Sequence, residues 1–195
     1  MKEILLSSNN QHKIHEFGNA LDSIGWKLLT PKDLGLSFEV EETGKTFDEN
    51  ASLKSNHLFQ LTGKPSLADD SGLCVDVLDG APGIYSARFG GEGLSDRDRA
   101  LLLLRETSNF SDRNCHYFAS LAYTTEEGTK FFHGKCEGLL EKEYDFEGKF
   151  GFGYDPVFYY PPLKERFSRV PLEEKNKVSH RANALKLFVE YLKQS

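Results

Sequence analysis

Two pairs of adjacent acidic residues are the first candidates for chemistry. Glu41-Glu42 precedes a predicted helix, and Asp69-Asp70 lies in the segment LADDSGL. Adjacent carboxylates repel each other unless a cation or hydrogen-bond donors compensate, and Mg²⁺ prefers oxygen ligands. In a strand the two aspartates would point to opposite faces and could have different roles. The alternative is a solvated turn in which Asp70 accepts hydrogen bonds from the next two N–H groups, and DDSG alone favours this turn.

A polar segment, SNNQHK, follows the first apolar run of the chain. Between a strand and a helix it would offer unpaired N–H groups, a hydroxyl, a carboxamide and an ammonium, which can all bind phosphate oxygens. The alternative is a polar helix-capping turn, which is common in α/β proteins and equally compatible with this segment. The candidate phosphate ligands are Ser8, Asn9, Asn10, Gln11, His12 and Lys13.

A lysine interrupts the apolar face of the second predicted helix. Phe47, Ala51, Leu58 and Leu61 recur at helical spacing, and Lys54 falls in the middle of their stripe. An ammonium in that position needs an anion nearby. The alternative is that the side chain extends to the helix edge and keeps its charge in water.

Aromatic and basic residues in the last third of the chain could bind a planar ring. In Phe152-Gly153-Tyr154-Asp155 the rings beside glycine could form a stacking surface for a base, and His180-Arg181 could donate to base carbonyls. Two cations in the first turn of a helix oppose the preference for acids there, which indicates a ligand. Alternatively His180 is neutral, Arg181 is solvated and the two rings belong to the core.

The elements that would position these groups are strands and helices in alternation, followed by a long hairpin. Apolar runs predict strands at 4–8, 26–30, 67–69, 74–78, 115–123 and 129–140. Helices are predicted from Ile14 to Gly25, from a Thr46 capping box to Gly63, from Ser95 through Leu104, and from Ser179 onward with Leu185, Phe188, Val189 and Leu192 inward. This order favours an α/β fold with a mixed sheet. Because no repeat or linker interrupts it, we expect one domain over residues 1–195.

Composition excludes several classes of protein. A net charge of −6 argues against a nucleic-acid or anionic-membrane binder, which would carry a basic surplus. The amino terminus has no run long enough for a signal peptide or a membrane span, so a cytosolic location is expected. Cys74, Cys115 and Cys136 form no CxxC pair, and the histidines have no HExxH spacing. A catalytic metal would therefore rest on oxygen ligands.

Five ordered segments, spanning residues 7 to 185, together resemble the inosine triphosphate pyrophosphatase family. They are SSNNQHK, EETGKTFDENASLK, LADDSGLCVDVLDGAPGIYSARF, GFGYDPVF and EEKNKVSHRANAL. The long central segment is the most specific. The resemblance implies Mg²⁺-dependent hydrolysis of ITP, dITP and XTP to the monophosphate and pyrophosphate, which removes deaminated purines from the nucleotide pool.

The resemblance also implies a role for each matching residue. Ser8, Asn10, Lys13, Lys54 and Ser71 would hold the phosphates. Glu41 and Asp70 would hold the metal, although the sequence alone does not distinguish Glu41 from Glu42 in this role. Asp70 would also be the general base, and Asp69 a supporting acid. The base would be bound by Phe152, Gly153, Tyr154, Asp155, Lys175, His180 and Arg181. Asn9 replaces a glycine of the family motif, but asparagine tolerates a positive φ better than most other residues, so we expect phosphate binding to be retained.

The family's fold is an elongated mixed sheet flanked by helices, in two lobes with an active-site cleft between them, and its members are typically homodimers. Two other functions compete with this prediction. A nucleotide-binding protein without catalytic activity would not need the metal-binding acids. A Mg²⁺-dependent phosphatase acting on another phosphoester would release orthophosphate, but the chain has no DxDx[TV] nucleophile motif.

Overall fold

The computed structural model describes residues 2–194, which form an α/β structure. Its strands are β1 (Lys2–Leu6), β2 (Trp26–Leu29), β3 (Ser66–Val75), β4 (Asn114–Thr125), β5 (Gly128–Leu140), β6 (Phe158–Tyr160) and β7 (Glu165–Arg166). Its α-helices are α1 (Gln11–Asp22), α2 (Phe47–Thr62), α3 (Asp96–Glu106), α4 (Leu172–Val178) and α5 (His180–Gln194).

The strands form a seven-stranded sheet in the order β2-β1-β3-β4-β5-β6-β7. β1 pairs in parallel with both β2 and β3, whereas β6 pairs antiparallel with β5 and β7. Parallel pairs need a crossover, and α1 and α2 lie in the connections between the parallel strands. The predicted α/β class with a mixed sheet is confirmed.

Contacts divide the chain into two compact units. Unit 1 contains the chain up to Asp70, Ala119–Gly134, and the chain from Ala182 onward; unit 2 contains Ser71–Phe118 and Lys135–Arg181. β3, β4, β5 and α5 each contribute residues to both units.

Each unit has its own hydrophobic core. In unit 1 the alternate residues Ile4 and Leu6 of β1 pack in one cluster with Phe17 of α1 and Phe188 of α5. The unit 2 core combines β3, α3, β4 and β5 with an aromatic group. That group consists of Tyr117, Tyr154, Phe158 and Phe167. Alternation in strands and 3.6-residue spacing in helices place these side chains on one face of each element.

The helix starts follow the predicted caps closely. Thr46 accepts a hydrogen bond from the Glu49 N–H, and Ser95 accepts one from the Asp98 N–H. In a capping box the carboxylate of Glu49 would accept from the N–H of Thr46, but here it accepts from the N–H of Lys45. Leu61, predicted to be buried, is 54% exposed.

One prediction about the elements is wrong, and one short helix was not predicted. The segments 67–69 and 74–78 are not two strands, because β3 is continuous from Ser66 to Val75 and a 3-10 turn follows over Asp76–Leu78. The short helix α4 was not predicted, because its two apolar residues, Leu172 and Val178, are not three or four positions apart and form no apolar face. Asn9 does not need its tolerance of a positive φ here, since within the range 2–194 the non-glycine residues with a positive φ are Asp79 and Lys164. Phosphate binding by this loop stays a prediction.

The described part of the chain contains no helix that is long and apolar enough to cross a membrane.

Candidate functional site

The two adjacent aspartates lie inside a buried strand. Asp69 and Asp70 belong to β3 and are 3% and 7% exposed. The solvated turn considered for DDSG is therefore wrong. Because successive strand residues point to opposite faces, the two carboxylates have different partners. Asp69 pairs with Lys13 at 2.7 Å, and Asp70 pairs with Lys54 at 3.3 Å.

Lys54 has the anionic partners that its place on an apolar helix face predicted. Its ammonium donates to Glu42 Oε1 at 2.7 Å, to the Asp69 carbonyl at 3.0 Å and to Asp70 Oδ1 at 3.3 Å. Glu42 is half-buried, whereas Glu41 is exposed. We call Lys13, Glu42, Lys54, Asp69 and Asp70 the acidic–lysine cluster, and all five belong to unit 1.

Asn50, one helical turn before Lys54, supports this cluster. Its amide Nδ2 lies 3.4 Å from Asp70 Oδ2, and its Oδ1 accepts from the Gly44 N–H at 2.8 Å. A Cβ at Gly44 would lie 2.6 Å from Asn50 Oδ1, so a larger residue would displace that carboxamide. Glycine is thus required at position 44 because the Asn50 carboxamide lies too close for any larger side chain.

The negative charge of Asp70 is only partly compensated by its surroundings. Burial raises the pKa of Asp70, Lys54 lowers it less, and the nearby Glu42 and Asp69 carboxylates raise it further. Burial disfavours the charge of Lys54, but Asp70 and Glu42 outweigh that effect and raise the pKa of the lysine. Lys54 therefore remains an ammonium, while Asp70 is more easily protonated than an ordinary aspartate.

The donors around Asp70 fit Mg²⁺, the cation that the family resemblance implies. Mg²⁺ is commonly held by one or two carboxylates together with substrate phosphates, rather than by a complete protein cage. Asp70 and Glu42 supply two carboxylates, and a cation would offset both the burial and the repulsion that raise the pKa of Asp70. No group of three or more His, Cys, Asp or Glu within residues 2–194 is arranged to hold a metal. A bound Mg²⁺ would therefore need oxygen atoms of water or phosphate as well.

The predicted phosphate loop lies between β1 and α1, as expected. Asn10 caps α1, because its Oδ1 accepts from the N–H groups of His12 and Lys13 at 2.9 and 3.3 Å. Ser8 Oγ accepts from the Asn10 N–H at 3.1 Å. Asn9, Gln11 and His12 are exposed. The interpretation as a helix-capping turn is confirmed, and phosphate binding by the exposed polar groups of this loop stays a prediction.

In unit 2, Asp155 is the centre of a buried network. Its Oδ1 accepts from the Tyr117 hydroxyl at 3.2 Å, and its Oδ2 accepts from the Phe152 N–H at 2.9 Å and from the Lys175 ammonium. Asp155 is 1% exposed and Lys175 is 5% exposed. We call Tyr117, Phe152, Asp155 and Lys175 the Asp155 network.

Of the two aromatic residues predicted to stack on a base, Phe152 is accessible and Tyr154 is buried. The Phe152 ring is 38% exposed, with Lys175 Nζ 4.7 Å from its centroid. Tyr154 lies in the core instead, and its hydroxyl donates to the Ser86 carbonyl at 2.8 Å. Gly153 has φ +60°, which lets the chain turn between the two rings.

The two basic residues at the start of α5 are buried. His180 stacks on Tyr117 with ring centroids 4.8 Å apart and planes 13° apart. Arg181 donates to Ser71 Oγ at 3.2 Å. These residues are 6% and 4% exposed, so the interpretation of Arg181 as solvated is wrong.

Sequence reasoning missed Tyr117 and did not decide between Glu41 and Glu42. Tyr117 occupies an inward position of an alternating strand and is not distinguishable from an ordinary core residue there.

A cavity of about 650 Å³ in unit 1 is lined by none of the predicted site residues. The residues that line it include Asp48, Ser52, His57 and Phe131.

Fold and site together define an α/β protein in which two buried aspartates and a glutamate pair with two half-buried lysines. The model of the Ham1 family matches residues 4–191. The chain belongs to the Ham1 family, and the family predicted from the five segments is confirmed.

Individual relatives cover almost the whole chain. A dITP/XTP pyrophosphatase of Leptospira interrogans is 49% identical over 192 residues, which is 98% of both chains. One of Yersinia pestis is 42% identical over the full length of both. Among solved structures, the Ham1 protein of Staphylococcus aureus has a TM-score of 0.91 at 39% identity and covers 99% of each chain. A HAM1 protein of Coxiella burnetii has a TM-score of 0.94 at 36% identity over both complete chains.

Proposed function

We propose that this chain hydrolyses the triphosphates of deaminated purines, ITP, dITP and XTP, to the nucleoside monophosphate and pyrophosphate. The observation that carries the proposal is Asp70, a buried carboxylate beside Lys54 whose pKa is raised by burial. The names of the relatives, dITP/XTP pyrophosphatases at up to 50% identity, support the same reaction. This hydrolysis would remove deaminated purine triphosphates from the nucleotide pool.

In this proposal the acidic–lysine cluster acts on the phosphates. Lys13 and Lys54 donate to phosphate oxygens, and the Ser8 and Ser71 hydroxyls add further donors. Asp70 orients a water molecule and accepts its proton as the water oxygen bonds to the α-phosphorus. The bond from that phosphorus to the bridging oxygen breaks, and pyrophosphate leaves without a covalent enzyme intermediate.

Glu42 and Asp70 would hold Mg²⁺, with Asp69 acting indirectly by fixing Lys13. This assignment replaces Glu41 with Glu42, because Glu42 is the residue that shares Lys54 with Asp70. When bound, the metal supplies positive charge that neutralises the phosphates and favours departure of pyrophosphate.

The Asp155 network and α5 would bind the base. The exposed Phe152 ring offers a stacking surface, and His180, Arg181 and Lys175 are donors suited to a 6-oxo group. A 6-amino group would place donors against donors, and mismatches of this kind discriminate by about 10⁴-fold. Guanine also has a 6-oxo group, so exclusion of GTP requires discrimination at its 2-amino group.

A product assay tests the proposal. Purified protein is incubated with ITP, XTP, dATP or GTP and Mg²⁺, and pyrophosphate and orthophosphate are measured separately. We expect pyrophosphate from ITP and XTP, little from dATP or GTP, and release from ITP that is about 10³-fold slower with the Asp70→Asn variant. Saturable ITP binding without product would indicate a binding protein, and orthophosphate release would indicate a phosphatase.

The family resemblance also supports a homodimer. We expect the molar mass from light scattering to be about twice the chain mass of 22.0 kDa. A monomeric mass at the protein concentrations of the activity assay would contradict this expectation.

A further inference from the structure

Tyr117 contacts two residues that belong to the proposed base site. Its hydroxyl donates to Asp155 Oδ1 at 3.2 Å, and its ring stacks on the imidazole of His180 with centroids 4.8 Å apart. Asp155 follows the exposed Phe152 ring by three residues, and His180 begins α5. One side chain of β4 therefore joins two separate segments of the chain.

The surroundings of Tyr117 leave its ring little freedom. The ring centroid lies 4.7 Å from that of Phe158 and 6.3 Å from that of Phe167, and the residue is 7% exposed. A side chain packed among several rings keeps one rotamer, so its hydroxyl also keeps one position. Burial and then the Asp155 carboxylate raise the pKa of Tyr117 well above its usual value, so the hydroxyl stays protonated and remains a donor.

The hydroxyl completes the hydrogen bonding of Asp155. Oδ2 accepts from Lys175 and from the Phe152 N–H, whereas Tyr117 is the donor to Oδ1. A carboxylate bonded through both oxygens cannot rotate freely. The Phe152 N–H, bonded to the same group, is fixed with it.

We propose that Tyr117 is a positioning residue for base recognition, whose ring orients His180 and whose hydroxyl orients Asp155 and, through it, Phe152. This inference rests on the proposed function, in which these residues bind a deaminated purine. Tyr117 acts through its neighbours, so its replacement should change substrate affinity and base selectivity more than turnover.

Steady-state kinetics of pyrophosphate release from dITP and dATP, with the full chain and Mg²⁺, test this role in the variants Tyr117→Phe and Tyr117→Leu. Tyr117→Phe keeps the stacking and loses only the hydroxyl, so we expect KM for dITP to rise about fivefold, the equivalent of one ordinary hydrogen bond, with little change in kcat. Tyr117→Leu loses both contacts, and we expect a larger rise in KM and about a tenfold fall in the dITP-to-dATP ratio of kcat/KM, because adenine differs from hypoxanthine at the 6-position that His180 is proposed to read.

Tyr123→Leu is the matched control. Tyr123 is also a buried tyrosine of β4, but it packs in the unit 1 core, 5.2 Å from the ring of Phe188. We expect a similar loss of thermal stability and an unchanged KM and base ratio. If Tyr123→Leu changes them as much as Tyr117→Leu does, Tyr117 has only a structural role.

Direct titration of dITP binding separates this inference from the proposed function. If the wild type binds dITP but releases no pyrophosphate, the proposed hydrolysis fails, while weaker binding by the Tyr117 variants still supports the positioning role. Equal dITP affinity of the wild type and Tyr117→Leu overturns the inference whether or not hydrolysis occurs. Absence of dITP binding by the wild type overturns both.

Discussion

Asp70 in unit 1 and Asp155 in unit 2 are both buried carboxylates beside a buried or half-buried lysine, but their surroundings differ. Asp155 accepts from Lys175, from the Tyr117 hydroxyl and from the Phe152 N–H. Asp70 has longer contacts, 3.3 Å to Lys54 and 3.4 Å to Asn50. Glu42 shares the same lysine at 2.7 Å and adds negative charge.

The difference indicates different tasks. A carboxylate bonded through both oxygens holds its neighbours in place, which suits recognition of a base. A carboxylate whose charge is incompletely compensated can take up a proton or a cation, and such groups are common at catalytic positions. We therefore expect substitutions in the acidic–lysine cluster to change turnover and metal dependence, and substitutions in unit 2 to change selectivity and stability.

The largest expected effect is at Asp70. Asp70→Asn removes the proton acceptor and a metal ligand but keeps the side-chain volume, so we expect kcat to fall by about 10³-fold while nucleotide binding persists. Pyrophosphate release and dITP titration measure the two properties. Asp76→Asn, at an exposed aspartate, is the control. Near-normal turnover by Asp70→Asn would exclude Asp70 as the base and remove the contrast between the units.

In unit 2, Asp145 offers a test of stability and of its pH dependence. Hydrogen bonds from Arg169, together with those from Ser168 and Glu147, hold the pKa of Asp145 well below its usual value despite burial. We expect Asp145→Asn to lower the free energy of unfolding by about 2 kcal/mol at pH 7.

This loss should depend on pH in one direction. Because the pKa of Asp145 is lowered in the folded state, its stabilising contribution is fully present above the unfolded value, about 3.9, and declines as pH falls below it. Urea unfolding of both proteins between pH 7 and pH 3 measures the difference. A difference that stays constant over this range would show that the ionised carboxylate is not the cause.

Glu41 and Glu42 provide a matched pair for metal dependence. We expect Glu42→Gln to raise the Mg²⁺ concentration for half-maximal activity by about tenfold, as loss of a metal-site partner commonly does. Glu41→Gln should leave it unchanged, since Glu41 is exposed. The opposite result would return the metal-binding role to Glu41.

Arg181 should affect base selectivity. Arg181→Ala removes a buried donor that also bonds Ser71 Oγ, so we expect the dITP-to-dATP ratio of kcat/KM to fall by about fivefold. Arg181→Lys, which keeps a positive charge, is the comparison. An unchanged ratio in Arg181→Ala would show that Arg181 does not read the base.

The smallest expected effect is on stability, where the same kind of substitution should act in opposite directions in the two units. In the metal-free protein, Asp70→Asn should raise the free energy of unfolding at pH 7 by about 0.5 kcal/mol, the opposite sign to Asp145→Asn. The pKa of Asp70 is raised in the folded state, so the wild type loses stability as pH rises through that value. The gain should disappear below about pH 4, where aspartate is protonated in both states. A loss of stability at pH 7 would contradict the proposed charge imbalance.

Local signals determined much of what could be read from the sequence. The caps at Asn10, Thr46 and Ser95 depend on hydrogen bonds over two or three residues, which a sequence shows directly. Periodicity predicted the inward faces of the helices, and the place of Lys54 on such a face predicted a neighbouring anion. The five ordered segments indicated the family and, with it, the candidate residues.

Tertiary structure decided which of these residues have which partners. DDSG has the local chemistry of a turn, but pairing within the sheet keeps it extended and sends Asp69 and Asp70 to opposite sides of β3. Glu42 rather than Glu41 bonds to Lys54, 12 residues further along the chain. Tyr117 bonds to Asp155, 38 residues away, and stacks on His180, 63 residues away. Such contacts depend on how distant segments pack, and no local propensity encodes that packing.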